Sequence, residues 1–240
     1  MAGPADEHYA FQYAAEMRPG QAALEFGCSP GIFTTRFAAA VPEGVPVYGV
    51  DLYAPEVCGN YEFIHGDVRS AAFPCRFDTI LCVSSFEHVG VESLDFSERS
   101  LSAILESRES AVKEVAARLT SLLLPGGQLV VTCPMGLDEI FLVGETGPGR
   151  PTEVRSPKWG WVGYTANSLA QVFARLERTS VQAWLRDPAK PYFDLAAWSP
   201  CSPVPTSDAV KERLRDPKHR VVLAATFIKP GEAACESTPP

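Results

Sequence analysis

Residues 22–34, Ala-Ala-Leu-Glu-Phe-Gly-Cys-Ser-Pro-Gly-Ile-Phe-Thr, constrain this chain more than any other stretch. A short apolar run enters a turn bracketed by Gly27 and Gly31 and passes straight into the apolar-periodic segment Ile32 to Val41. The order is strand, tight turn, helix, the layout in which backbone N–H groups face a bound ligand. Glycines at both ends let the backbone turn sharply and approach that ligand without a Cβ in the way. Gly27, Cys28, Ser29, Pro30 and Gly31 are therefore a candidate cofactor loop, although a lone Gly-x-x-x-Gly turn is weak evidence by itself. No Gly-Lys-Ser/Thr follows, which excludes a P-loop. A short-chain dehydrogenase is disfavoured, because the third Rossmann glycine is absent and Tyr164 lacks a lysine four residues on.

Three later features continue the pattern. Pro46 to Val50 is a second strand-like run closing on Asp51, 20 residues beyond Gly31, where a ribose-binding carboxylate is expected. Tyr61–His65 is a third strand, followed by Gly66-Asp67-Val68. Phe77–Val83 is a fourth, apolar almost throughout as a central parallel strand should be, and it ends in Ser84-Ser85-Phe86-Glu87-His88-Val89-Gly90. Leu124-Pro125-Gly126-Gly127 then leads into a fifth, Gln128–Cys133. Ligands of open α/β sheets bind outside the carboxyl ends of the strands, where the strand order reverses between the first and fourth. Ser84, Ser85, Glu87 and His88 fall at that point.

With Glu25 inside the first strand, this succession resembles the class I S-adenosylmethionine-dependent methyltransferases, whose pattern is E/D-x-G-x-G-x-G, an acid after strand two, an acid after strand three and a PGG before strand five. The resemblance covers residues 20–135 well and the rest loosely, and Ser29 stands where the family usually has its middle glycine. It implies an α/β fold: a doubly wound, mostly parallel seven-stranded sheet with helices on both faces and an antiparallel last strand. It implies S-adenosylmethionine as cofactor. By the same resemblance Glu25 supports the loop and the methionine amino group, often through water, Asp51 accepts from the ribose hydroxyls and Asp67 holds the adenine amino group. Leu52 and Val68 flank these acids, and Ser84 and Ser85 offer backbone at the end of strand four.

Methyl transfer from a sulfonium is an in-line displacement in which the cofactor brings both the reactive carbon and the leaving group, so the protein mainly positions the acceptor. A hydroxyl or amine acceptor must also lose a proton, and His88, with Glu87 beside it, is the candidate general base. Two alternatives stand beside that reading: a histidine that caps the loop, and catalysis by proximity alone. The Glu87-His88 pair is similar to the E-x-x-E-H of metal-dependent methyltransferases, but Ser84 replaces the first glutamate, and no metal is expected. Asp78 opens its strand at the far edge and reads as structural.

The 240 residues suffice for one well-buried domain spanning 1–240. A net charge of −8 argues against a nucleic-acid partner, because binding one depends on clustered Lys and Arg. Seven cysteines without a C-x-x-C pair fit a reducing compartment; Cys28, Cys82 and Cys133 read as small core residues. No signal pattern or membrane-length apolar run is present, so a cytoplasmic, soluble protein with no membrane partner is expected.

The aromatic stripe of residues 5–17 suggests an N-terminal helix, a lid over the cofactor (1–20) or a helix packed against the sheet. An amphipathic helix runs from Ser97 to Leu124, with its charges read as a solvated face. Residues 134–165, with Arg150, Arg155, Lys158, Trp159, Trp161 and Tyr164, form a Gly/Pro-rich insert of the kind that makes a lid or binding wall. Thr165 caps the next helix, Val181–Arg186 is strand six, 187–206 with Tyr192, Phe193 and Trp198 is a second insert, and Arg220–Ile228 is strand seven. The tail 230–240 reads as disordered. The expected activity is methylation of a small-molecule acceptor at oxygen, less readily at nitrogen, with a sugar or natural-product intermediate as candidate. A macromolecular methyltransferase and a non-catalytic binding protein are the alternatives.

Overall fold

The protein is seen in a computed structural model that describes residues 4–91, 101–136, 138, 140–144, 147–149, 159–187, 189–190, 194–203 and 221–231. Along the chain run α1 (Pro4–Ala14), β1 (Ala23–Phe26), α2 (Ile32–Ala40), β2 (Val47–Asp51), β3 (Glu62–His65), β4 (Phe77–Val83), α3 (Leu101–Leu122), β5 (Leu123–Pro134), β6 (Ile140–Gly144), β7 (Gly147–Gly149), β8 (Trp159–Val162), α4 (Ala166–Val172), β9 (Glu177–Arg186), β10 (Trp198–Cys201) and β11 (Val221–Ile228). The main sheet has the order β10-β9-β11-β5-β4-β1-β2-β3. From β3 to β5 all neighbours are parallel, whereas β11 runs antiparallel to both β5 and β9. The chain builds outward from β1 to β3, then returns to β4 on the other side of β1, which places the reversal of strand order where the sequence put it.

β4 shows why the sheet is covered on both faces. Ile80 and Cys82 pack with α3 residues such as Val112, Val115 and Leu119, while Leu81 and Val83 pack with α1 and α2 residues such as Tyr9, Phe33 and Phe37. Period-2 alternation sends successive side chains to opposite cores, so an uninterrupted apolar strand is required. Of the two placements open to the N-terminal segment, α1 takes the one against the sheet. The Tyr9 hydroxyl bonds Thr226 Oγ1 at 2.8 Å and Ser180 Oγ, and its ring meets Trp184 edge-on at 5.6 Å.

The sheet has eight strands where seven were expected. The extra one, β10, comes from the second insert and pairs antiparallel with β9 from Trp198–Arg186 to Cys201–Ala183. The cause is apolar: Ala197 and Trp198 are buried in the same cluster as Trp184 and Tyr9. Pro200 is tolerated because an edge strand leaves one row of N–H groups unpaired. Tyr192 and Phe193 lie outside the described residues.

The first insert also carries more order than its composition suggested. β6 pairs antiparallel with both β7 and β8 in a separate three-stranded sheet, and Trp161 stacks on Phe141 at 5.6 Å. Arg150, Arg155 and Lys158 of this insert lie outside the described residues, as do residues 97–100 of the expected helix and 232–240 of the tail. Thr165 caps α4 as expected, through a reciprocal pair with Ser168 at 3.0 Å each way.

Candidate active site

A cleft of about 440 Å³ opens at the carboxyl ends of β1, β2, β3 and β4. The residues expected at the cofactor divide into those that line it and those that hold its walls. Gly27, Ser29, Asp51, Leu52, Asp67, Val68, Ser84, Ser85 and His88 line the cleft; Glu25, Cys28, Pro30, Gly31 and Glu87 do not.

The loop from β1 to α2 owes its shape to Gly27 at φ 76° and Gly31 at φ 91°, a region side chains disfavour. The sequence reading gave both glycines to close approach of a ligand. The structure assigns that space to the protein itself: a Cβ on Gly27 would lie 2.3 Å from Ser85 Cβ, and one on Gly31 2.1 Å from the Val57 carbonyl oxygen. Pro30 turns away from the cleft, its carbonyl accepting from Glu56 N at 3.1 Å and Val57 N at 3.0 Å. Cys28 is buried, and burial raises its thiol pKa, so it serves as packing beneath the loop. Glu25 lies deeper still, 3% exposed, its Oε2 accepting from the Thr34 hydroxyl. Burial pushes its carboxyl up to about 8, against the lowering effect of the Thr34 bond and with a further rise from Asp51 and Glu7.

Asp51 ties the loop to the end of β2. Its Oδ2 accepts from Ser29 N at 2.8 Å and its Oδ1 from Tyr53 N at 2.9 Å, which leaves each oxygen a lone pair for a further donor. Asp67, after β3, is held by Arg69, whose side-chain hydrogen bonds keep the carboxyl below the ordinary carboxylate range despite partial burial. At the end of β4, Ser84 sits at φ 49°, strained for a residue with a Cβ, and its N–H donates to the Thr132 carbonyl at 3.0 Å. The Ser85 hydroxyl donates to the Phe26 carbonyl at 2.7 Å, so it joins β4 to β1.

Phe86–His88 form one 3-10 turn. Phe86 and Glu87 point inward, 0% and 3% exposed, whereas the His88 side chain is 30% exposed and faces the cleft. His88 Nδ1 lies 2.7 Å from the Gly160 carbonyl of β8, and Nε2 lies 3.9 Å from Glu87 Oε1. A carbonyl only accepts, so Nδ1 carries a proton and the neutral ring keeps its lone pair on Nε2. Gly160 N in turn donates to the Val91 carbonyl at 2.9 Å, so β8 grips the turn twice.

The remaining wall was not anticipated. Tyr53 and Arg69 line the cleft, as do Ser107, Ala111 and Val115 of α3. Ser107 and Ala111, small residues four apart among long ones, were the available signal: they leave room where Leu or Lys would fill it. Among the described residues no group of His, Cys, Asp and Glu could hold a metal ion.

Residues 24–131 match the family described as a methyltransferase domain. No curated protein matches the chain significantly. Among solved structures, the chain is similar to the 1,6-didemethyltoxoflavin-N1-methyltransferase of Burkholderia thailandensis, crystallised with 1,6-didemethyltoxoflavin and S-adenosylhomocysteine (16% identity over 94% of this chain and 79% of that one, TM-score 0.55). It is also similar to a SAM-dependent methyltransferase from Methanosarcina mazei (12% identity, 90% and 95% covered, TM-score 0.56). A third likeness is to the YcgJ protein of Bacillus subtilis (14% identity, 95% and 99% covered, TM-score 0.56). At these identities the likeness is one of fold.

Proposed function

From the match of residues 24–131 to the methyltransferase-domain family, we propose that the chain is a class I S-adenosylmethionine-dependent methyltransferase that methylates a hydroxyl of a small-molecule acceptor, a sugar or natural-product intermediate, with His88 taking the acceptor's proton. The observation that carries this reading is the bond between His88 Nδ1 and the Gly160 carbonyl, because it leaves Nε2 as the basic nitrogen of a side chain facing the cleft.

The residues present fit the cofactor. Asp51 keeps a lone pair on each oxygen for two ribose hydroxyls, Asp67 is an ionised acceptor, and the volume lies in the range of small-ligand sites. Bound S-adenosylmethionine supplies an electrophilic methyl carbon and its own leaving group. The chain's part is to hold the acceptor in line, exclude water and accept a proton. His88 Nε2 takes the hydroxyl proton as the methyl passes to oxygen, and the resulting imidazolium keeps its Nδ1–H on Gly160, with Glu87 Oε1 at 3.9 Å to receive the new charge. Glu87 thus acts through His88.

Two features support a small acceptor in a reducing compartment such as the cytoplasm: the net charge of −8 and the unpaired state of the described cysteines. Among the described residues no helix is long and apolar enough to cross a membrane. Methylation at nitrogen is the second reading, favoured by the likeness to the Burkholderia protein, an N1-methyltransferase by name.

The test is product formation on a panel of hydroxylated and aminated acceptors with wild type, His88→Asn and His88→Gln. Asparagine retains a donor near the place of Nδ1 without a base. If His88 is the base, His88→Asn keeps cofactor affinity within a factor of a few while turnover falls by at least about 10²-fold, and the acid limb of the pH profile disappears. Near-normal turnover in His88→Asn would reduce the residue to a clasp for β8.

A further inference from the structure

The acid at the adenine end of the cleft is not a bare carboxylate. Asp67 Oδ1 accepts from Arg69 N at 2.9 Å and Arg69 Nε at 3.0 Å, while Oδ2 accepts from Nε at 2.9 Å and from Nη2. An ionised carboxylate offers about four lone-pair sites. The single Nε–H is shared between the two oxygens, so Arg69 brings three hydrogens to these four sites, and an adenine amino group would compete with it for the carboxylate. The remaining nitrogen, Nη1, lies 3.2 Å from Glu114 Oε2 on α3, so the guanidinium already touches a second carboxylate. The side chains of Arg69, Asp67 and Glu114 are 42%, 30% and 54% exposed, and exposed pairs contribute little, so a shift of Arg69 between the two acids costs little.

Resting on the cofactor reading given above, we propose that Arg69 is a latch on the adenine-binding carboxylate. In this structure it holds Asp67; when the adenine amino group takes that carboxylate, Arg69 moves onto Glu114. Arg69 and Glu114 are then positioning residues, and Glu114 sets cofactor affinity by receiving the displaced cation. The latch has a structural consequence on α3. Arg118 already holds the Val68 and Ala71 carbonyls at 3.3 and 3.0 Å, and a full Arg69–Glu114 pair adds a second tie between the loop after β3 and the helix whose Ser107, Ala111 and Val115 line the cleft.

The experiment is calorimetric binding of S-adenosylhomocysteine, and of its inosyl analogue in which a carbonyl replaces the adenine amino group. The proteins are wild type, Glu114→Gln, Arg69→Met and the double variant, with thermal melts to confirm folding. A latch predicts that Glu114→Gln weakens adenosyl binding by roughly three- to tenfold. Arg69→Met tightens it, the double variant matches Arg69→Met, and the inosyl analogue is indifferent to Glu114→Gln. Added salt should strengthen adenosyl binding to wild type by loosening the Arg69–Asp67 pair, and should do nothing in Arg69→Met. Weaker binding in Arg69→Met, or independent effects of the two substitutions, overturns the latch and leaves Arg69 as a support for Asp67. Failure of wild type to bind S-adenosylhomocysteine at all would instead bring down the cofactor reading.

Discussion

Replacing Glu25 by glutamine should change little near pH 4.5 and stabilise the protein increasingly as pH rises from there to about 8. The carboxyl is 3% exposed between β1 and α2, accepts from the Thr34 hydroxyl, and faces the charges of Asp51 and Glu7. Burial is the largest cause of its rise from an ordinary 4.5 to about 8. A raised carboxyl means that the folded state keeps a proton which the unfolded chain has lost. The stability this group contributes is fully present below about 4.5, declines as pH rises from there, and levels off above about 8. At about 1.4 kcal/mol per pH unit the whole interval amounts to roughly 4–5 kcal/mol, an upper figure because local opening can hydrate the ionised group. Glutamine keeps an oxygen for Thr34 and has no proton to lose. Urea unfolding of both proteins between pH 5 and 9 isolates the effect, because Asp67, whose carboxyl Arg69 holds low, stays ionised throughout that window. Parallel curves across that range would refute the argument and show that Glu25 is ionised in the folded protein with a compensating donor.

Asp51→Ala should weaken cofactor binding by roughly 1–3 kcal/mol, and Asp51→Asn by less because one acceptor oxygen remains; calorimetry that finds equal affinity in Asp51→Ala and wild type would sink the ribose role. Gly31→Ala places a methyl 2.1 Å from the Val57 carbonyl at φ 91°, so both the turn and the 55–57 segment must shift. Loss of at least about 2 kcal/mol in urea unfolding is expected, together with loss of cofactor binding. Gly44→Ala also has positive φ, 85°, but meets its nearest atom, Pro19 Cβ, only at 3.7 Å; it should cost about 1 kcal/mol and leave binding intact.

The strand order and the place of Asp51 and Asp67 in the cleft were legible because both are local. Apolar runs ending in Gly27, Asp51, Gly66 and Ser84 announce strands and their carboxyl ends without reference to the rest of the chain. What the sequence hid was contact between distant residues. Nothing near Arg69 in the chain reveals Glu114, 45 positions on, and nothing near His88 reveals Gly160, whose carbonyl selects the ring tautomer. β10 was hidden for another reason. Its four residues include a proline, and only the burial of Trp198 against Trp184 makes them a strand. Glu25 is placed by its position in a motif, and the bond from Thr34 and its burial set its carboxyl behind the cleft wall, a depth that a linear pattern does not contain.

The two halves of the site are held by different parts of the fold, and this bears on how the acceptor pocket can vary. The cofactor side rests on β1, β2 and β3, where Asp51 and Asp67 are fixed by backbone and arginine donors close to them in sequence. His88 leans instead on β8, through Nδ1 to the Gly160 carbonyl, with Gly160 N returning to Val91. β8 belongs to the small sheet with β6 and β7, and that sheet shares no strand with the main one. The insert that builds this wall also orients His88. If His88 is the base, changes in the insert act on imidazole orientation, and so on turnover, through a single backbone carbonyl, while Asp51 and Asp67 stay where the main core puts them. Because the bond to His88 comes from a main-chain oxygen, side chains along β6 and β8 are free to differ without removing it, provided that Gly160 keeps its register opposite Leu142.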